Sequence, residues 1–145
     1  MKQSWKPGTV LYPLPAVLVS CGSVEHPNLF TVAWTGIVCS DPAMTYISVR
    51  PSRYSYGLIE ASGEFVLNLT TEALAFATDY CGVVSGRDTD KFAHLGLTAA
   101  PSTVVSAPSL AESPVNIECR VTEMKKLGSH DMFLAEVVAV HADEQ

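Results

Sequence analysis

The sequence predicts a mainly β fold, a β-barrel carrying short helices, and three observations support this. Six strand-length runs are either apolar throughout or alternate apolar with polar residues. The helical signals are fewer and shorter. Strands and helices do not alternate regularly, which argues against a parallel α/β sheet. No repeat, low-complexity block or linker divides the 145 residues, so a single domain over 1–145 is expected.

In chain order, "AVLVSC" (16–21) is a short apolar run between prolines and a glycine, and "LFTVAWTGIVCS" (29–40) is β-branched and aromatic. "MTYISVR" (44–50) and "EFVLNLT" (64–70) complete the first group of strands. Between them "SYGLIEASG" (55–63) has the serine start and glycine stop of a helix, and "TTEALAFATDYCG" (70–82) has similar punctuation. "DTDKFAHLG" (88–96) predicts a turn or two, capped by Asp88 or Thr89. In "PVNIECRV" (114–121) Val115, Ile117, Cys119 and Val121 share one face, which leaves Asn116, Glu118 and Arg120 on a solvated one. "MFLAEVVAV" (132–140) is apolar on both faces, as a fully covered strand would be, and pairs with the preceding run as a hairpin across "KKLGSHD".

Composition excludes several classes. Nine basic residues against fifteen acidic ones give a net charge of −6, a poor basis for neutralising nucleic-acid phosphates. The apolar runs are too short to span a membrane, and "MKQSWKPGTVLYPLP" has no apolar core of a signal peptide. Cys21, Cys39, Cys81 and Cys119 lie far apart without a C-x-x-C, as buried or half-buried thiols of a reduced cytoplasm would. No ligand spacing supports zinc or another metal. Only 17% of residues are charged, and 48% are hydrophobic, a balance that suggests self-association.

Three stretches carry chemistry. In "RPSRYSYGLIE" (50–60) Pro51 fixes its own φ and biases Arg50 toward extended geometry, ending the strand. Ser52 or Ser55 is then placed to cap a helix whose first N–H groups, with Arg50 and Arg53, suit a dianionic phosphate. A capped helix with solvated arginines fits the same residues. In "CGVVSGRDTDKF" (81–92) Gly82 and Gly86 allow backbone conformations closed to other residues, Lys91 supplies a cation, and Phe92 an apolar wall. An ordinary glycine-rich loop fits equally, and the spacing is not that of a P-loop. In "NLFTVAWTGIVCSDP" (28–42) Phe30, Val32 and Trp34 are bulky, whereas Thr31, Ala33 and Thr35 are small and Gly36 follows. The small face admits a flat ligand or a tightly packed barrel interior.

Taken in order, N-x-x-T-V-A-W-T-G, R-P-S-R-Y-S, S-G-x-x-x-D-K-F and G-S-H-D-x-F-L-A-E-V resemble the flavin reductase-like, flavoredoxin-type family over about Pro7 to Val140. The resemblance implies an FMN-binding split β-barrel, usually dimeric. It places Thr31, Val32, Ala33, Trp34, Thr35 and Gly36 against the isoalloxazine. Arg50, Pro51, Ser52, Arg53 and Ser55 are placed at the phosphate, and Lys91 and Phe92 beside them. It further implies that NAD(P)H reduces the flavin, which then leaves for a partner oxygenase or passes electrons on. An FMN electron carrier without a nicotinamide site is the alternative, and a flavin-free β-barrel binding module is a third. Relatives continue past the last strand, so a chain stopping at "HADEQ" is expected to be a short member or a truncated product.

Ser129, His130 and Asp131 are adjacent in sequence, so they do not form a hydrolase triad among themselves. The resemblance puts His130 near the nicotinamide side of the flavin, where it would position the reductant; a turn histidine without a role is the other reading. His26, His94 and His141 carry no motif and are expected at the surface. Trp34 or Phe30 is expected on the buried side of a subunit boundary.

Overall fold

Strands β1 (Val17–Gly22) and β2 (Pro27–Val32) form a hairpin, and β3 (Thr35–Ser40) and β4 (Ala43–Val49) form a second, in the computed structural model of the chain, which describes residues 1–144. Helix α1 (Tyr54–Ser62), strand β5 (Glu64–Asn68), a single 3-10 turn (Glu72–Leu74), and helices α2 (Ala75–Val83) and α3 (Lys91–Leu95) follow. Two short strands, β6 (Ala99–Ala100) and β7 (Ser109–Leu110), pair with each other before the long hairpin of β8 (Val115–Lys126) and β9 (Asp131–Ala142). Seven strands make one antiparallel sheet in the order β2-β1-β5-β8-β9-β4-β3.

The run 29–40 is two strands, not the single strand expected. Val32 is the last residue of β2 to pair, opposite Val17, and Thr35 is the first of β3, opposite Ile47. Ala33 and Trp34 therefore join the two outermost strands of the sheet, which closes the sheet on itself as a split barrel. The Ser48 N–H donates to the Trp34 carbonyl at 2.9 Å and ties the crossing to β4.

Inside the barrel Val17, Val19, Cys21, Phe30, Val32, Ile47, Phe65, Leu67, Cys119, Phe133 and Ala135 pack with Tyr56 and Ile59 of α1. On the outer side Leu18 and Leu29 meet Leu74, Ala77, Cys81 and Phe92 of the helices and Leu110 of β7. β1 is thus covered on both faces, which accounts for its uninterrupted apolar sequence. Strand β9 is not: Phe133 and Ala135 are buried, but Val140 is 59% exposed.

Helix starts differ from the expectation. Arg53 is the N-cap of α1, and neither Ser52 nor Ser55 caps it; Ser55 is buried and accepts from Asn28 Nδ2 instead. α3 is capped by Asp90, not Asp88 or Thr89, through its carboxylate and the Ala93 N–H. Among the described residues no helix is long and apolar enough to cross a membrane.

Glu118, expected on a solvated face, is fully buried. A register shift after Glu118 breaks the simple alternation of β8. Its carboxylate accepts the backbone N–H groups of Thr103, Val104 and Val105 at 2.7–3.0 Å. His141, half-exposed, closes the set with Nε2 2.6 Å from a carboxylate oxygen. Burial pushes the carboxyl pKa up, but these donors outweigh burial and hold it at about 2. A carboxylate depressed in this way stabilises the fold above its unfolded value of 4.5, and that stabilisation is lost as pH falls toward about 2. Glu118→Gln is expected to lower stability at pH 7 by on the order of 3 kcal/mol, with the difference from wild type shrinking across the acid range. Urea melts at several pH values check this; a constant difference down to about pH 2 contradicts it.

Candidate functional site

The residues of the crossing line a cleft at the seam of the barrel. Phe30, Thr31, Val32, Ala33 and Trp34 form one wall, and Ser48, Val49, Arg50, Arg53 and His130 complete a hollow of about 210 Å³. A second hollow, about 180 Å³, lies between the N-terminus of α1 and the segment after α2, lined by Ser52, Arg53, Tyr54, Ser55, residues 82–87 and Lys91. The two share Phe30 and Arg53, whose guanidinium lies 5.6 Å from the Phe30 ring centroid. No carboxylate lines either hollow.

The second hollow gathers three of the nine basic residues, and their bonds go to backbone carbonyls rather than acids. Lys91 is 3% exposed and donates to the Cys81 carbonyl at 3.1 Å. Arg53 reaches the Gly82 carbonyl at 3.3 Å, and Arg87 the Ser52 carbonyl at 3.3 Å. Burial lowers the Lys91 pKa, the Cys81 thiol opposes that effect, and nearby Arg53 adds to it. A buried ammonium whose bond goes to a carbonyl rather than to an acid is costly, so this end of the cleft suits an anion.

At the other end His130 leaves the β8–β9 turn, where Gly128 holds a φ of +137° and the Leu127 N–H meets the His130 carbonyl. Its ring lies 4.5 Å from that of Trp34, and Nδ1 is 2.8 Å from Ser129 Oγ. Burial lowers the imidazole pKa, and Arg50 lowers it further, so the ring is neutral at pH 7. Asp131 turns away into the core, accepting from Tyr56 Oη at 2.6 Å; this bond, then burial, pushes the phenol up to about 12.

The structure thus brings Thr31, Val32, Ala33, Trp34, Arg50, Arg53 and His130 to the first hollow, and Ser52, Arg53, Ser55 and Lys91 to the second. Thr35 and Gly36 lie outside both, because the chain has already entered β3; Thr35 bonds the Tyr46 carbonyl and Gly36 faces the Tyr46 ring. Pro51 lines neither hollow. Phe92 is not a wall of the cleft, since it is 4% exposed and packs with Leu18 and Leu29 in the outer core. Gly82 and Gly86 do not use left-handed backbone; Gly86 is instead crowded, and a Cβ there would meet Asn28 Oδ1 and, at 2.6 Å, Tyr54 Cδ1. Arg87, one of the two basic residues of the 81–92 stretch, joins Lys91 in the second hollow, a cation the sequence reading does not single out. His141 is a partner of Glu118 rather than an unattached surface residue. Phe30 is 2% exposed within its own chain and so has little surface left for a subunit boundary.

With this geometry in view, the chain was compared with known proteins. Residues 9–145 match the model of the flavin reductase like domain. Flavoredoxin of Desulfovibrio vulgaris (Miyazaki F) is 36% identical with a TM-score of 0.89, over 99% of this chain and 78% of that one. Flavoredoxin from Methanosarcina acetivorans is 29% identical with a TM-score of 0.92, over 100% and 77%. An uncharacterized protein of Archaeoglobus fulgidus is 36% identical over 134 residues, 92% of this chain and 75% of the relative.

The cationic hollow predicts anion-dependent stability. Inorganic phosphate at about ten times its Kd is expected to add about 1.4 kcal/mol, on the order of 5 °C in Tm. Lys91→Met is expected to melt higher than wild type without phosphate, since a buried unpaired charge is removed, and to lose most of the phosphate response. Thermal melts with and without phosphate, at fixed ionic strength, decide; an undiminished response in the variant contradicts the assignment.

Proposed function

The chain belongs to the flavin reductase-like domain family, and from that premise we propose that it binds FMN and catalyses its reduction by NAD(P)H. The observation that carries the proposal is the pair of hollows joined at Phe30 and Arg53, one walled by flat and small groups, the other cationic. The donor set fits FMN: the hydroxyls of Ser52 and Ser55 and the cations Arg53, Arg87 and Lys91 suit a phosphate monoester. The crossing Thr31–Trp34 suits a ring system laid along backbone. When bound, the isoalloxazine would supply the hydride-accepting redox chemistry.

The residues of the chain bind, orient and leave one approach open. Arg53 holds the junction between phosphate and ring, its own position fixed by the Phe30 ring and the Gly82 carbonyl. Trp34 and His130 meet at the rim with their rings tilted by 31° and would position the reductant. His130, neutral above its lowered pKa, offers a hydrogen bond rather than a charge. The lack of a carboxylate in the lining suits a hydride transfer that needs no protein acid or base. A partner oxygenase or another electron acceptor would be the destination of the electrons.

A second reading is favoured by the two flavoredoxin structures: an FMN electron carrier with no nicotinamide site. Anaerobic addition of NADH and of NADPH to the FMN-loaded protein separates the two, since bleaching of the flavin absorption by either supports the reductase and bleaching by neither supports the carrier. Within the reductase reading, His130→Ala is expected to slow stopped-flow reduction about tenfold to a hundredfold while FMN affinity changes less than about threefold. Any pH dependence due to His130 is expected below the ordinary value of 6.5, where its lowered pKa lies. Equal rates for wild type and variant from about pH 5.5 to 8 leave His130 a turn residue only.

A homodimer belongs to the same reading. Ile37 is 89% exposed, Val140 59%, and Trp5, Leu11 and Tyr12 of the N-terminal arm are exposed as well, more apolar surface than water readily covers. Light scattering is expected to give twice the chain mass at micromolar concentration; a monomer with flavin fully bound contradicts it.

A further inference from the structure

Asp131 lines neither hollow, yet it holds both ends of the bend that serves them. Its backbone pairs with Val49, the last residue of β4, on one side and with Lys126, the last of β8, on the other. Its side chain is buried, and the carboxylate accepts from Tyr56 Oη, in the first turn of α1, at 2.6 Å. Val49 and Tyr56 bracket residues 50–55, which carry Arg50, Ser52, Arg53 and Ser55. Inside the bracket the Arg53 N–H donates to the Arg50 carbonyl at 3.0 Å, and the Tyr56 N–H to the Arg53 carbonyl at 3.1 Å. The bend is thus a closed circuit of bonds that begins and ends on one residue. The Tyr56 ring is itself fixed, 5.3 Å from the Phe133 ring, with Met124 Sδ 3.2 Å from its hydroxyl.

We propose that Asp131 and Tyr56 are positioning residues, a clamp that sets the bend 50–55 against β9 and seats His130 against Trp34. This role rests on the anion and rim assignments above and extends them to two side chains outside the rim. Burying a carboxylate on a tyrosine is costly, and an apolar pair would fill the same space, but only the hydrogen bond fixes a direction. Direction matters at this point of the chain. Neighbouring side chains of a strand point to opposite faces, so drawing Asp131 into the core turns His130 toward the cleft. The same bond holds α1 by the turn whose Arg53 and Ser55 line the second hollow.

Tyr56→Phe tests the clamp, because it removes one hydroxyl and leaves every charge in place. Two readouts are taken on ligand-free protein, the Kd for inorganic phosphate and the titration of the His130 Cε1–H resonance, identified by its loss in His130→Ala. Phosphate affinity is expected to fall roughly threefold to tenfold, since a misplaced charge-assisted donor is weakened but not lost. The His130 pKa is expected to rise toward the ordinary value of 6.5, because a loosened ring is less buried and lies farther from Arg50. Asp131→Asn keeps an acceptor oxygen for the Tyr56 hydroxyl and is expected to hold phosphate affinity within about twofold. Glu118→Gln, which weakens the fold elsewhere, is expected to move neither readout. Either readout unchanged in Tyr56→Phe overturns the clamp, as do equal changes in Glu118→Gln. A wild type that binds no phosphate overturns the anion assignment instead, and the imidazole titration then decides the clamp alone.

Discussion

Two residues, Ala33 and Trp34, join strands that lie at opposite ends of the sheet order, and most of the architecture follows from that constraint. A connection this short requires the outer edges of a seven-stranded sheet to meet. The sheet must therefore curl into a barrel, and at the seam the ladder gives way to single ties such as Ser48 to Trp34. Backbone groups released from pairing and side chains splayed from two strands line a cleft there without any loop having to be inserted. The site is a consequence of closure.

The rest of the chain secures that seam from outside. α1 plugs one end of the barrel with Tyr56 and Ile59, while its first turn faces the cleft. α2 and α3 cover β1 and β2, and Lys91, at the start of α3, is carried under the segment that follows α2. Opposite, the loop 101–108 is fastened over β5 and β8 by buried polar groups. Glu118 takes its backbone N–H groups, and Asn68 takes the Leu110 N–H while donating to the Leu18 carbonyl. Every such buried side-chain atom among the described residues has a partner, so the strap holds without an orphaned group. The cationic hollow is the contrast, because there the chain concentrates like charge and supplies carbonyls instead of acids.

Much of this was legible in the sequence. The strand positions, the β8–β9 hairpin and the helix over 55–63 follow from apolar periodicity and glycine or proline punctuation. The hydroxyl and cation content of 50–55 marked the anion end of the cleft. What was not legible depends on long-range pairing. The break at Ala33 cannot be read from 29–40, since β-branched and aromatic residues continue without interruption; it exists because Val32 has run out of β1 to pair with. Glu118 looks solvated in an alternating run, and only a bulge together with a loop fifteen residues earlier buries it. Phe92 belongs to the outer core for the same kind of reason, as α3 lies flat on β2 and turns the ring away from the neighbouring lysine.

The two functional readings differ at a single rim of the cleft. Holding a flavin by its phosphate and along the crossing serves a carrier and a reductase equally, so the anion hollow does not distinguish them. The distinction falls to the open side, where His130 is held by a glycine turn against Trp34. Burial and Arg50 lower the pKa of that imidazole, which favours its neutral, hydrogen-bonding form at the rim. Arg50 is exposed beside it and brings a positive charge to the same rim. The rim thus sets a neutral hydrogen-bonding ring beside a separate cation, and the proposed reductase reading draws on both.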